Sequence, residues 1–486
     1  MLVLLAAFVA RGRARGAEGV IRALLAAGVI LAPQPTGPTS VLLGNPDHVG
    51  TGVPVLVLLL LLDWAQGREG RARRWVPVAA GALLAWSIIG DPLIEVVGAL
   101  PLFLACALRA GWIAWSRRAA DPPAGAAAWR RRWSAARYEL SLAVAAVAAV
   151  PVAAAGNWLI RALGGFTMAD PWYHLQPLHR IVRGLPVAAE SVLALFGADY
   201  KGVSGTGNVA FALAHLLGVA VVLAAVAVAV WGLVRPFARL ALPRRFGPGA
   251  PAPGDLVADI LVIAIAANFA AFLAEVPMSN VYAAHEIAPV LSLGAALAGR
   301  TLGSRILARR APADEAPGAT SPPGRPAAAR PGRSLARRAL VAALAVVLAG
   351  YAVMLGIAAA HRQAPPRNVG LAAWLTRHHL TSGFAPYWEA SSITVDSGGA
   401  ITVLSVTDTG RDGRLAPQHW LTDGQLTAKM PPASFVILSP AEKVRRAAVA
   451  ATFGPPAQSY RYGPYTILVW HGNLLPKLAL ADKPGS

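Results

Sequence analysis

Long apolar runs alternate along this chain with shorter polar connections. A bilayer core of about 30 Å needs about 20 helical residues at 1.5 Å each. By that measure the pattern predicts nine spans, at residues 18–34, 50–65, 75–90, 92–108, 138–162, 207–233, 256–277, 286–306 and 339–360. Residues 1–10 are apolar but too few to span, so we expect an interfacial helix or the end of a truncated first span.

Arginines cluster in alternate connections between these runs. The clusters lie at residues 11–22, 68–74, 117–132, 235–245 and 300–338. Basic connections stay in the cytoplasm, so this alternation predicts a multi-pass plasma-membrane protein. The other connections are then external: residues 35–49, the turn near 91, 163–206, 278–285 and the chain after 361. The net charge of +20 therefore reflects orientation and does not indicate a nucleic-acid partner.

The stretch from Trp75 to Leu108 is too long for one span, at about 51 Å. Gly90-Asp91-Pro92 is the predicted reversal, because a proline disfavours helical backbone in the residue before it. Asp91 is then expected at or just beneath the external interface. In the loop 163–206, the spacing of apolar residues predicts short amphipathic helices on the membrane surface.

The composition changes after His361, where short alternating runs appear. They predict strands at Ser392–Val395, Ala400–Val406, Ser434–Leu438 and Tyr465–Trp470, with helices at Val369–His379 and Pro440–Ala451. The fold class is therefore an α-helical polytopic membrane protein of about 9–10 transmembrane helices, residues 1–360, with a small extracytoplasmic α+β domain, residues 361–486. Residues 307–338 lack apolar periodicity and predict a disordered cytoplasmic linker.

The composition excludes several classes of function. The chain has 486 residues, 56% hydrophobic and 14% charged, whereas a soluble protein carries about 25% charged residues. Its single cysteine, Cys106, excludes an intrachain disulfide and a thiolate metal cluster. No Walker loop, dinucleotide fingerprint, HExxH or GxSxG motif is present. An ordinary cytosolic enzyme is excluded.

Polar residues at the predicted external ends of the spans are the candidates for chemistry. Asp47 and His48 precede a strongly apolar run. They form either a turn with a helix cap or a pair of acid/base or phosphate-contacting groups. Asp91 and Glu95 lie one turn apart on one helical face. Asp91 either caps the next helix or acts in catalysis, and Glu95 is expected to have a buried partner.

Two further pairs of polar residues belong to this set. Tyr173 and His174 lie in the long external loop, where they are either solvated surface or contacts for a lipid-phosphate headgroup. His285 and Glu286 open a helix, so Glu286 either complements the helix dipole or belongs to a site. Arg300, at the other end of that span, is predicted to be an ordinary internal anchor.

Four runs resemble stretches of bacterial polytopic membrane proteins: NPDHVGTGVPVLVLLLLLDW, SIIGDPLIEVVGALP, HEIAPVLSLGAALAGR and GFAPYWEASSITVDSGG. Those proteins belong to the GT-C superfamily of glycosyltransferases of actinobacterial type. The resemblance covers most of the chain. It implies an enzyme that transfers a sugar from a polyprenyl-phosphate-linked donor to a cell-envelope acceptor on the external face. Such transfer needs a carboxylate to deprotonate the acceptor and positive or dipolar groups to stabilise the departing phosphate.

GT-C enzymes usually carry an acidic catalytic residue in the first external loop, and this chain has no such loop before Arg11. Asp47 and Asp91 are therefore the predicted catalytic residues. His48, Glu95, Tyr173, His174, His285 and Glu286 are the predicted substrate-binding residues. No metal ligands are assigned, and the cofactor is left open, with a divalent cation as one candidate. The expected partners are the lipid-linked donor and membrane lipids. The alternative is a non-enzymatic transporter or assembly factor with an external binding domain.

Overall fold

The computed structural model describes most of the chain, with gaps. The described residues are 1–31, 48, 50–66, 68, 70–120, 133–165, 167, 175–198, 206–241, 254–275, 281–308, 342–353, 356, 360, 368–408, 413–418, 430–440 and 444–481. The chain divides into two compact units. The first comprises Met1–Leu159 and Tyr173–Ala360, and the second comprises Ile160–Trp172 and His361–Ser486. Most of the predicted linker 307–338 lies outside the described residues.

The first unit is built of helices. They are α1 (Leu2–Arg11), α2 (Gly16–Leu31), α3 (Gly52–Gln66), α4 (Arg71–Gly90), a π-helix (Glu95–Ala99), α5 (Leu100–Ala120), α6 (Arg137–Ala162), α7 (Leu178–Leu195), α8 (Thr206–Ala241), α9 (Leu256–Glu275), a 3₁₀-helix (Val281–Ile287), α10 (Ala288–Ala308) and α11 (Ala342–Val353). A described helix lies in each of the nine stretches predicted to span, although parts of several stretches fall outside the described residues. Helices α1, α2 and α10 pack on one another, and α9 packs on α5 and α10.

Four described helical segments are long and apolar enough to cross a membrane. They are Glu95–Ser116, Arg137–Ala162, His215–Pro236 and Leu256–Ala274. Three shorter apolar helices, Leu2–Arg11, Gly52–Gln66 and Ala342–Val353, fall below the length needed. The described part of the chain is thus compatible with a helical membrane protein, and the nine spans stay a prediction.

The predicted reversal at Asp91 is confirmed. Helix α4 ends at Gly90, and Asp91 has extended backbone (φ −151°, ψ 105°). The carboxylate Oδ1 of Asp91 accepts a hydrogen bond from the Leu93 N–H at 2.9 Å, which caps the next helix. The chain then folds back, since a Cβ placed on Gly98 would lie 3.0 Å from Leu84 of α4.

The described part of the loop 163–206 contains α7, an amphipathic helix of 18 residues that contains Pro186, and its place on the membrane surface stays a prediction. Its small residues Ala188, Ser191 and Ala194 are buried, while Val182 and Leu185 are exposed. This buried face packs against the 3₁₀-helix and α9, and such packing stabilises a helix beyond its intrinsic propensity. The aromatic residues at the start of the loop lie outside the described residues.

The second unit contains a six-stranded mixed sheet in the order β3-β2-β1-β4-β6-β5. Its elements are α12 (Val369–Arg377), β1 (Ser382–Ala385), α13 (Tyr387–Asp396), β2 (Thr402–Thr407), β3 (Ala416–Pro417), β4 (Phe435–Leu438), α14 (Arg446–Phe453), β5 (Gln458–Tyr462), β6 (Tyr465–Val469) and α15 (Leu475–Ala481). The central strand β1 is parallel to both β2 and β4, with Phe384 opposite Leu404 and Val436. The predicted α+β content is present.

One predicted strand of this unit is wrong. Ser392–Val395 lies inside α13, where Glu389, Ala390 and Ile393 are buried at helical spacing against β2. Four alternating residues cannot distinguish a strand from one turn of helix. The predicted strands at 400–406, 434–438 and 465–470 correspond to β2, β4 and β6, and β1, β3 and β5 were not predicted.

Candidate functional site

Three segments that are far apart in the sequence bring ionisable side chains together in the first unit. His48 lies in the connection before α3, Asp91 lies at the break after α4, and His285 and Glu286 lie in the 3₁₀-helix before α10. His48 stands between the two acids. Its Nδ1 is 3.4 Å from Asp91 Oδ2, and its Nε2 is 3.6 Å from Glu286 Oε2. The result is a carboxylate–imidazole–carboxylate arrangement.

Asp91 is held by several donors. Its Oδ2 accepts a short hydrogen bond from the Thr51 hydroxyl in addition to the contact with His48. Its Oδ1 accepts the Leu93 N–H that caps the following helix. Both oxygens are therefore engaged within the protein, so the orientation of this carboxylate is fixed.

Glu286 is less constrained than Asp91. Its Oε1 lies 3.2 Å from His285 Nε2, and its Oε2 faces His48. The rings of His48 and His285 are nearly parallel, 4° apart, with centroids separated by 6.4 Å. Asn268 of α9 donates from Nδ2 to the Glu286 carbonyl at 3.2 Å, which ties the 3₁₀-helix to a candidate membrane span.

The backbone at His48 is unusual. Its φ of 53° lies in the left-handed region, which costs a residue with a side chain about 1–3 kcal/mol and persists where the surroundings determine it. The His48 carbonyl accepts the Thr51 N–H at 3.2 Å, so the turn that aims the imidazole also leads to Thr51. Strain of this kind concentrates at functional sites.

Burial is the largest single effect on the pKa of each group, and the neighbours reverse it. Burial lowers the pKa of His48, but the hydrogen bond and charge of Asp91 and the charge of Glu286 bring it above its ordinary 6.5. Burial raises the pKa of Asp91, but hydrogen bonds from His48 and Thr51 bring it below 3.8. Burial likewise raises the pKa of Glu286, and the hydrogen bond from His285 and the charge of His48 bring it below 4.5. The arrangement thus favours the protonated form of His48, relative to a free imidazole, and the ionised forms of Asp91 and Glu286.

The cluster is reachable from outside the protein. The side chains of Asp91, His48 and Glu286 are 25%, 28% and 34% exposed. The contacts of His48 are longer than the usual 2.7–3.2 Å of a hydrogen bond, as catalytic hydrogen bonds often are in a structure without substrate. The site can therefore offer a cation to a phosphate oxygen and a carboxylate to a proton.

Four of the eight predicted site residues meet in this cluster: His48, Asp91, His285 and Glu286. Asp47, Tyr173 and His174 lie outside the described residues. The carboxylate of Glu95, in the π-helix, forms no hydrogen bond or ion pair with the described residues, so the expected buried partner is not found there. Thr51 was not predicted. Its position three residues after His48, at the start of a helix, is the signal that could have identified it.

Arg300 is not the ordinary exposed anchor that was expected, because its side chain is only 6% exposed, and its place on the internal side stays a prediction. Its guanidinium donates to both oxygens of Asp63, at 2.7 and 2.6 Å, and to both oxygens of Asp255. It also donates to the Val9 carbonyl at 2.8 Å. Asp63 lies twelve residues along α3 from Thr51, about 18 Å away. This cluster joins α1, α3 and α10 to the start of α9 and is separate from the His48 site.

No described group of three or more His, Cys, Asp or Glu side chains has the geometry to hold a metal ion. Comparisons with protein-family models, with curated proteins and with solved structures give no match. The functional argument therefore rests on the residues and their geometry.

Proposed function

We propose that this chain is a membrane glycosyltransferase that moves a sugar from a polyprenyl-phosphate-linked donor to a cell-envelope acceptor. The observation that carries the proposal is the convergence of His48, Asp91, His285 and Glu286 from three distant segments. Acidic and basic groups in one accessible site are what such a reaction needs. The resemblance of the three sequence runs that supply these residues to GT-C proteins supports the same class.

Glu286 is assigned as the general base. It is ionised at neutral pH and more exposed than Asp91, and its two contacts are both with imidazoles. Asp91 is assigned as a positioning residue, because its oxygens already accept from Thr51, His48 and the Leu93 N–H. It orients the imidazole of His48 and favours its protonated form, as a buried carboxylate does for a catalytic histidine.

The transfer step follows from these roles. The acceptor hydroxyl oxygen forms a bond to the anomeric carbon of the sugar, and its proton passes to Glu286. The bond between that carbon and the phosphate oxygen breaks, and the electron pair leaves with polyprenyl phosphate. The imidazolium of His48, with His285 beside it, stabilises the negative charge that develops on the phosphate.

The position of the site in the helical unit supports a lipid-linked substrate. His48 and Thr51 lie at the start of α3, Asp91 at the end of α4, and Glu286 at the start of α10, so these helix ends share one side. The arginines at the start of α4 and the exposed Arg305 near the end of α10 are at the other helix ends. By the positive-inside rule, we assign the His48 side to the exterior, together with the C-terminal domain.

The test is sugar transfer by the full chain in liposomes. The probe is a set of synthetic polyprenyl-phosphate sugars, and the acceptor is delipidated cell-envelope polysaccharide. Mass spectrometry of the lipid fraction measures the polyprenyl monophosphate that is released. We expect turnover with at least one donor, and Glu286→Gln should lower it by about 10²–10⁴-fold, the usual contribution of a general base.

Two further variants separate the roles. Asp91→Asn should retain more turnover than Glu286→Gln and should shift the pH profile to lower pH, because His48 loses the charge that favours its protonated form. Glu18→Gln, which changes the more exposed member of a helix pair with Arg22, is the matched control and should behave as wild type. Full turnover by Glu286→Gln would overturn the assignment of the base. If wild type binds the donor but neither wild type nor any variant releases the monophosphate, the result would instead support a non-enzymatic binding protein.

A further inference from the structure

A large groove lies between α4 and α6, away from the His48 site. Its volume is about 1210 Å³, and it is open along one side. Small residues line its length, among them Gly81 and Ala85 of α4 and Ala145 and Ala148 of α6. The two helices approach closely near Gly81, where an added Cβ would lie 3.3 Å from the Ala145 carbonyl. Small side chains therefore create this space.

One end of the groove is strongly basic. Arg73 and Arg74 from the first turn of α4, and Arg137 from the first turn of α6, line it, and no acidic side chain is among the described residues that line it. The Arg73 guanidinium lies over the Tyr138 ring, 4.3 Å from its centroid. The buried Arg73 Nε and Tyr138 hydroxyl have no hydrogen-bond partner among the described residues. Three arginines beside donors that have no hydrogen-bond partner among the described residues suit an anionic group.

The rest of the groove suits a hydrocarbon chain. It extends from Arg137 to Val152 along α6, which is about 22 Å of a helix apolar enough to cross a membrane. That length exceeds half of a hydrocarbon core of about 30 Å. Val78, Val144 and Val152 line it and are largely exposed. At this depth the surrounding solvent is lipid, and a charged end with an apolar length has the polarity of a single phospholipid.

We propose that this groove is a binding site for an anionic glycerophospholipid. The phosphate lies among Arg73, Arg74 and Arg137, and an acyl chain follows the small residues between α4 and α6. Basic pockets between membrane helices recognise anionic headgroups in this way. The site is separate from the proposed transfer site, because Arg73 and Asp91 lie at opposite ends of α4, about 27 Å apart.

Native mass spectrometry of the purified full chain tests the proposal. Phosphatidylglycerol, phosphatidylcholine and polyprenyl phosphate, each titrated alone, are the probes. We expect phosphatidylglycerol to be retained in preference to phosphatidylcholine. The double variant Arg73→Gln/Arg137→Gln should lose roughly thirtyfold in affinity for phosphatidylglycerol, from a factor of about five per arginine near an anionic headgroup. Ala148→Phe, which fills the groove, should weaken binding of both phospholipids.

The matched control is Arg235→Gln/Arg305→Gln, which removes the same charge from exposed positions on α8 and α10. It should retain phosphatidylglycerol as wild type does. An equal loss in this control, or equal retention of the two phospholipids by wild type, would overturn the proposal. Stronger retention of polyprenyl phosphate than of phosphatidylglycerol would overturn the assignment to a diacyl lipid. Transfer activity is not the readout, so this result is independent of the proposed function.

Discussion

The buried Arg300 cluster yields a ranked prediction for stability. Arg300 and Asp63 are each 6% exposed and share two hydrogen bonds, whereas Asp255 is 37% exposed. Arg300→Met leaves the Asp63 carboxylate buried without its cation. Breaking a buried ion pair from one side costs about 3–5 kcal/mol, because the remaining charge is not compensated.

The two aspartates should respond differently to the same substitution. Asp63→Asn keeps a hydrogen-bond acceptor beside Arg300 and leaves Asp255 as its counter-ion, so the cost is about 1–3 kcal/mol, as for a buried hydrogen bond. Asp255→Asn acts on a partly exposed pair and should cost about 0–1 kcal/mol. Equilibrium unfolding of the full chain in mixed micelles, followed by tryptophan fluorescence, measures all three values.

A double variant tests whether the cost comes from the unpaired charge. Arg300→Met/Asp63→Leu removes both charges and should recover most of the stability lost in Arg300→Met, because apolar replacements of a buried pair are often neutral or stabilising. Equal effects of Asp63→Asn and Asp255→Asn would refute the burial argument. A double variant less stable than Arg300→Met would refute the role assigned to the charge.

Two further predictions concern the His48 site and the C-terminal sheet. The stability difference between wild type and His48→Gln should be largest between about pH 4.5 and 6.5. Folding raises the pKa of His48, so its stabilisation of the folded state is complete below about pH 6.5 and is lost as the pH rises through the pKa of the folded state. Folding lowers the pKa values of Asp91 and Glu286, so their stabilisation is lost as the pH falls. A difference that stays constant from pH 4 to 9 would contradict this charge state. Gly383→Ala should destabilise the sheet by about 1–3 kcal/mol, because its Cβ would overlap the buried Phe435 ring. Limited proteolysis measures this against Gly472→Ala, where the space is open, and equal digestion would contradict it.

The sequence predicts the helix ends better than the side-chain pairings between them. Proline at position 92 locates the reversal, and Asp91 caps the next helix as expected. Predicted orientation also places His48, Asp91 and Glu286 on one side of the membrane, which is why those residues were candidates. Orientation cannot reveal which of them touch. Thr51 and Asp91 are 40 residues apart, and only tertiary packing brings them together.

The missed features have the same physical origin. The positive-inside rule describes where basic residues collect along the chain and carries no information on burial. It therefore does not predict that Arg300 is buried with Asp63, a partner 237 residues away. In α13, apolar and polar residues alternate only over Ser392–Val395. Four residues are too few to distinguish the two-residue period of a strand from the period of a helix. The packing of that helix on β2 decides its structure.

The central claim is that the segments carrying His48, Asp91 and Glu286 form one site, and cysteine cross-linking in membranes tests it most directly. The sole native cysteine, Cys106, is buried and unpaired and is first replaced by alanine. The pairs His48→Cys/Glu286→Cys and His48→Cys/Asp91→Cys should then be linked by a short bifunctional thiol reagent, with the linked peptides identified by mass spectrometry. The control pair Arg73→Cys/Glu286→Cys, with Arg73 at the far end of α4, should not be linked. If the control pair is linked, or if neither test pair is linked, the result would contradict the claim that these segments form one site.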